Sequence, residues 1–325
     1  MNKYILSVMM VALSITLISC DDNLSSDKKE NNNVIDTMAS FGLMREKFTT
    51  KLIRFNKTKE SVEVPPKELF SIVEYPTKIG NMAAYLSKIP DDKKLYPAMI
   101  WITGGFGNDI GDVWSKQDPD NDQSAAVFRK AGIVMMHPSQ RGGNMNPGYD
   151  ETCYGEIDDI LAAADFLAKQ PGIDTNRIYL GGHSTGGTKV LLAAECSKRF
   201  RAVFSFGPVG SVEGYGNEYL TYDTANSMES SLRSPALFLP SIKTPVYIFE
   251  GEEEPGNISS LRFIEKMAKE QQNKFTHFYG IKNKNHFSVL QPVSKIIAEK
   301  IIADVDGNET QMNFEKEIER FEKAK

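Results

Sequence analysis

A serine hydroxyl is a weak nucleophile at neutral pH. A chain that uses one must supply an imidazole to take its proton and an anionic group to orient that imidazole. Gly182-His183-Ser184-Thr185-Gly186 fits the spacing G-x-S-x-G, in which the glycines let neighbouring backbone approach a strained turn and leave the serine hydroxyl exposed. The chain holds four histidines, His137, His183, His277 and His286. His183 lies within the turn itself, His137 follows an apolar run and His277 falls inside one. His286 alone closes a polar loop, Lys282-Asn283-Lys284-Asn285-His286, and is the expected general base. For the acid, Glu250-Gly251-Glu252-Glu253-Glu254 offers four carboxylates. Glu254 is the expected partner of His286, with Glu253 and Glu250 as alternatives.

These residues need a scaffold that brings distant segments to one edge. The run Ile178-Tyr179-Leu180 enters the serine turn and a helix-compatible run, Val190 to Glu195, leaves it, which is strand, tight turn, helix. Ala98 to Ile102 and Ile133 to Met136 are continuous apolar runs, as buried parallel strands require. Apolar residues at Ile157, Ile160, Leu161, Ala164 and Leu167 repeat at helical spacing. Strands are also expected over 200–206, 246–249 and 275–281, and helices over 123–131, 261–268 and 293–302. A hairpin is expected at 70–75 and 82–86, around Lys78-Ile79-Gly80-Asn81. Strand alternating with helix predicts a mostly parallel sheet covered on both faces, with ligands at the carboxyl edge of the strands. Residues 211–243 are irregular and tyrosine-bearing, and read either as a short lid or cap over a pocket or as a decorated connection.

The serine turn, the glycine-rich Thr103-Gly104-Gly105-Phe106 after an early strand, and the order Ser184, Glu254, His286 together resemble the α/β-hydrolase family. The segment Ile157 to Gly187 and the closing Asn285-His286-Phe287 are similar to its dienelactone-hydrolase and prolyl-oligopeptidase-like branch. The resemblance implies the α/β-hydrolase fold, and an oxyanion hole formed by the backbone NH of Thr185 with that of Gly105 or Phe106. It covers about residues 69–304. The usual His-Gly-Gly opening of the glycine-rich turn is Thr103-Gly104-Gly105 here, and the usual aspartate is a glutamate.

At the N-terminus, Lys3 precedes an apolar run from Tyr4 to Ile18, followed by Leu17-Ile18-Ser19-Cys20. The run suits a signal-peptide core rather than a membrane span. It resembles a bacterial lipoprotein signal, which implies that Cys20 carries lipid and that the protein is exported and membrane-anchored through that lipid only. The expected organisation is a signal at 1–19, a lipidated tether and lead-in at 20–66, a hydrolase domain at 67–308, and a charged, solvated tail at 309–325. Cys153 and Cys196 are expected as unpaired thiols.

The chain has 325 residues, 41% of them hydrophobic, and a formal net charge of −5, which suits a globular enzyme and not a nucleic-acid binder. No glycine-rich phosphate motif and no clustered His/Cys spacing occurs, so neither cofactor nor metal is expected. The expected function is hydrolysis of a carboxylic ester on a small or sugar-linked substrate. The alternatives are a peptidase acting on short peptides and a non-catalytic binding lipoprotein. Arg141, after its strand, is weighed as a contact to an anionic substrate group against a role in holding its own loop.

Overall fold

A computed structural model describes residues 37–305 and 312–323. The expected signal peptide, Cys20 and the tether at 21–33 lie outside the described residues. The described chain begins with α1 (Thr37–Lys47) and the hairpin β1 (Phe70–Thr77) and β2 (Gly80–Ser87). It continues through β3 (Tyr96–Ile102), α2 (Ala126–Lys130), β4 (Val134–Pro138), α3 (Glu156–Leu167), β5 (Ile173–His183) and α4 (Thr185–Cys196). Then come β6 (Val203–Phe206), α5 (Ser227–Ser231), β7 (Val246–Gly251), α6 (Ile258–Glu270), β8 (Thr276–Ile281), α7 (Leu290–Ala303) and α8 (Glu315–Lys323).

The strands form one eight-stranded sheet in the order β1-β2-β4-β3-β5-β6-β7-β8. β1, β2 and β4 pair antiparallel, and from β4 through β3 to β8 every pairing is parallel. The period of two along a strand divides the core. Ala98, Ile100 and Ile102 face a cluster built with α1, α3, α4 and α6, while Met99 and Trp101 face one built with α2, α7 and α8. Both faces are therefore covered, which explains why the strands read as unbroken apolar runs. Cys153 and Cys196 are free thiols.

Three segments differ from the sequence expectation. The helix expected at 123–131 shrinks to α2, because Asn121 to Ala125 turn back through local Asp122 and Ser124 hydrogen bonds before the helix begins. The region 211–243 holds α5 and several short 3-10 turns around the buried Leu232, Leu239 and Ile242. The tail is not wholly solvated. Phe314 is 0% exposed and stands edge-on to Phe204, Tyr247, Phe249 and Tyr279, while the Met312 NH donates to the Tyr247 hydroxyl at 2.6 Å. Three apolar residues among many charges suffice to dock α8, because they fall on the side that meets the sheet.

Candidate active site

β5 ends at His183, α4 begins at Thr185, and Ser184 alone makes the turn between them. Its φ of 56° and ψ of −117° put a non-glycine residue in a sparsely populated region that costs about 1–3 kcal/mol and persists only where the surroundings fix it. They do: the Ser184 NH donates to the Phe206 carbonyl at 2.8 Å, and its carbonyl accepts from the Thr188 NH at 3.0 Å. Gly186 is required here, since a Cβ would collide with the Ile102 carbonyl of the adjacent strand. The Thr185 NH is among the first amides of α4, which have no acceptor within the helix.

β8 leads through 282–285 to His286, whose Nδ1 lies 3.0 Å and 3.2 Å from the two carboxylate oxygens of Glu250. Glu250 is 0% exposed and stands in β7, one residue before its end. The His286 NH donates to the Pro255 carbonyl at 3.0 Å, fixing the backbone that carries the ring. Gly207, at the end of β6 with φ 57°, lies against this pair, and a Cβ there would strike the Glu250 carboxylate and the imidazole. Among the described residues no hydrogen bond links the Ser184 hydroxyl to the ring, a contact that in enzymes without substrate is commonly long and tightens on binding.

The expected acid is corrected by this geometry. Glu254 is exposed and its carboxylate accepts from the Gly256 NH at 3.0 Å, in a turn on the surface. The cause is the length of β7. It runs to Gly251 rather than stopping at Phe249, so Glu250 remains in the sheet edge, and the extra methylene of a glutamate carries its carboxylate to His286.

His183 packs against His286 with the rings tilted by 41° and their centroids 4.4 Å apart, and its Nε2 lies 3.0 Å from the His286 carbonyl oxygen. Burial first, and the neighbouring imidazole second, push its pKa down to about 3. The ring is neutral, so Nε2 carries the proton and donates to that carbonyl, leaving Nδ1 as an acceptor 3.4 Å from Gln123 Oε1, with no proton between the two.

Gly105, Phe106 and Thr185 line a cavity of about 30 Å³ next to the elbow, room for a water-sized group. The Thr185 hydroxyl donates to the Gly105 carbonyl at 2.5 Å and ties the glycine-rich loop to the start of α4. The Phe106 ring stacks on Tyr219 from the cap at 3.5 Å and meets Tyr215 edge-on at 5.7 Å. Tyr215 in turn shares a hydrogen bond of 2.7 Å with Thr188 of α4. Among the described residues no group of three or more His, Cys, Asp or Glu side chains is placed to hold a metal ion.

The sequence profile of the prolyl oligopeptidase family matches residues 119–302, more than half of the chain's 325 residues. The chain belongs to the prolyl oligopeptidase family. Dipeptidyl-peptidase 5 of Porphyromonas gingivalis is 24% identical over 244 residues, covering 67% of this chain and 34% of that protein. The crystal structure of Porphyromonas gingivalis dipeptidyl peptidase 4 superposes with a TM-score of 0.56 at 16% identity, over 73% of this chain and 35% of that one. An esterase of Pyrococcus furiosus superposes with a TM-score of 0.57 at 16% identity, over 76% of this chain and 96% of that one. The chain spans about a third of the length of the curated relatives it matches. The family and these folds make the architecture that of an α/β-hydrolase.

Within this prolyl oligopeptidase family member, the structure brings Ser184, His286, Gly105, Phe106 and Thr185 to one edge of the sheet and leaves Glu254 outside. Arg141 holds its own loop: Nε and Nη2 donate to the Asp159 carboxylate at 2.9 Å each, and Nη1 to Glu151 at 2.6 Å. His137 is buried in the sheet with both ring nitrogens unpartnered. Sequence reasoning missed Asp150 and Lys189, which line the cavity beside the elbow. Lys189 carries a visible signal, a lone cation in the otherwise small and apolar stretch Gly186 to Ala194. Asp150 carries none, being one acidic residue in a polar loop.

Proposed function

We propose that the chain is a serine hydrolase that cleaves peptides through an acyl-enzyme on Ser184. The observation that carries the reading is the contact of His286 Nδ1 with both oxygens of the buried Glu250, beside an elbow whose serine sits at φ 56°. A carboxylate on Nδ1 holds that nitrogen protonated and leaves Nε2 free to accept a proton. In the proposed cycle the Ser184 oxygen attacks the scissile carbonyl as His286 Nε2 takes its proton. The Thr185 NH, with that of Gly105 or Phe106, receives the oxyanion. His286 then returns the proton to the leaving amine, and water, activated by the same ring, releases the acyl group.

Peptide rather than small-ester hydrolysis is supported by the family and by the relatives named dipeptidyl-peptidase. An ester substrate remains the second reading, supported by the fold-level likeness to a Pyrococcus furiosus esterase that this chain covers almost entirely. Labelling with a fluorophosphonate probe tests the common part: an adduct on Ser184, lost in Ser184→Ala, is expected, and its absence returns the chain to a binding role. Rates on aminoacyl p-nitroanilides against p-nitrophenyl acetate then separate peptidase from esterase.

The N-terminal reading stands as part of this proposal. Cys20 is taken as the lipidated first residue of an exported protein, supported by the charged start and apolar run ahead of it. Incorporation of labelled fatty acid, abolished by Cys20→Ser with release from the membrane fraction, is the expected result.

A further inference from the structure

The acyl-transfer steps above leave unused one carboxylate and one ammonium on the wall of the small cavity beside the elbow, Asp150 and Lys189. Asp150 also lines a wider outer cleft of about 390 Å³, with Phe55 to Thr58, Asp109 and Gly142. It therefore stands where the two spaces meet, beside Phe106 and Asn108, which are common to both.

Behind it lies Glu156, 0% exposed. One oxygen of Glu156 accepts from Asn108 Nδ2 at 2.9 Å and from the Glu151 NH at 2.7 Å, while Oε2 has no hydrogen-bond donor. Lys189 Nζ donates to the neutral amide oxygens of Asn108 at 2.6 Å and Gln140 at 3.0 Å. Arg141 is taken up by Asp159 and Glu151, and Arg233 by Glu229. Against burial, Lys189 and Arg141 both pull on Glu156 and hold its carboxyl below the usual range, whereas Asp150 has the Thr152 NH at 2.8 Å on one oxygen and feels the ionised Glu156 more strongly than it feels Lys189.

A largely buried carboxyl beside a second, ionised carboxyl takes up a proton more readily than one in water. Burial first, and the Glu156 charge next, push Asp150 up to about 7 against the opposing pull of Lys189. The Cys153 thiol on the same wall is pushed up to about 12 by burial and stays neutral. In the outer cleft Asp109 accepts from the Thr58 hydroxyl and the Asn144 NH, and Lys57 lines the same cleft. Below neutral pH Asp150 holds its proton against the Glu156 side chain. Above it, a carboxylate held on one oxygen by the Thr152 NH borders a space of ammonium size.

We propose that Asp150 determines specificity by making this cavity a seat for an ammonium group of the substrate, from a basic side chain or a free α-amine. The proposal rests on the reading of Ser184 as the nucleophile that receives that substrate. Seating the cation releases the proton of Asp150, so binding strengthens as pH rises through about 7.

The test uses n-propylammonium, with n-propanol as its neutral counterpart, as competitors of fluorophosphonate labelling at Ser184. The amine is expected to slow labelling several-fold more than the alcohol at pH 8, to lose most of that advantage at pH 6, and to lose all of it in Asp150→Asn. Equal effects of amine and alcohol, or an amine effect independent of pH, overturn the proposal, and the wild-type comparison alone decides if the variant does not fold. Should no labelling occur, the nucleophile reading fails while the cavity is still read by thermal unfolding. A propylammonium-induced rise in Tm, larger at pH 8 than at pH 6, supports the seat, and no rise overturns it. Anilides of lysine against norleucine, each with free and acetylated α-amine, then assign the ammonium to side chain or terminus by which change lowers kcat/KM at least ten-fold; no drop in either arm overturns the proposal.

Discussion

Glu250 and His286 meet by a two-oxygen contact, 3.0 Å and 3.2 Å from Nδ1, across the ends of β7 and the loop after β8. The carboxylate is sealed from solvent by Gly207 and by Asn257, whose backbone NH donates to Glu250 at 3.3 Å. An anion in that position holds the imidazole tautomer that can take a proton from a hydroxyl.

Glu250→Gln keeps the shape and removes the charge. A fall in kcat of about 10²–10⁴ is expected, as for loss of the orienting carboxylate in other serine hydrolases. Glu254→Gln should stay within about two-fold of the wild type, since its carboxylate touches only its own turn. Steady-state kinetics of the two variants check this, and a large loss in the Glu254 variant would reverse the assignment.

His183 acts on the reaction through His286 and is a positioning residue. Replacing it by leucine removes the donor to the His286 carbonyl, worth about 1 kcal/mol, and kcat should fall by about five- to ten-fold with KM little changed. Glutamine places an amide NH near the same point and should restore most of the rate. Equal losses in both variants would show that the ring only fills space.

Acid stability follows from His137 and His183. Burial pushes both down to about 3, so the folded protein keeps them neutral while the unfolded chain takes up a proton below about pH 6.5. The unfolded state then binds more protons, and each ring removes roughly 1.4 kcal/mol of stability per pH unit between about 6.5 and 3. Buried carboxyls such as Glu195, raised by burial, act with the opposite sign, so the informative quantity is a difference. Urea unfolding of His137→Leu against wild type should favour the variant progressively as pH falls from 6.5. A difference that does not change with pH would mean the ring is charged in the fold or finds a partner there.

Phe314 separates stability from chemistry. Phe314→Ala should cost about 3–5 kcal/mol, the range for a buried aromatic, and release α8 from the sheet. The labelling rate at Ser184 should be unchanged below the unfolding transition. Denaturant melts followed alongside fluorophosphonate labelling measure both, and a variant as stable as wild type would place α8 outside the core.

What was legible in the sequence was what is local. The elbow announces itself because strand, small residues, serine and helix are contiguous, and the parallel sheet announces itself because strands buried on both faces are apolar throughout. His286 could be singled out because only one histidine follows the last strand in a polar loop. The choice among glutamates could not be made this way, since a difference of one or two residues in where β7 ends decides which side chain points inward, and hydrogen bonds to β6 and β8 set that end. The docking of α8 escaped notice because Met312, Phe314 and Ile318 are too few to show a period. The Asp150, Glu156 and Lys189 cluster joins a loop to two helices, and its shifted acidities exist only once burial removes the water that would otherwise screen the charges.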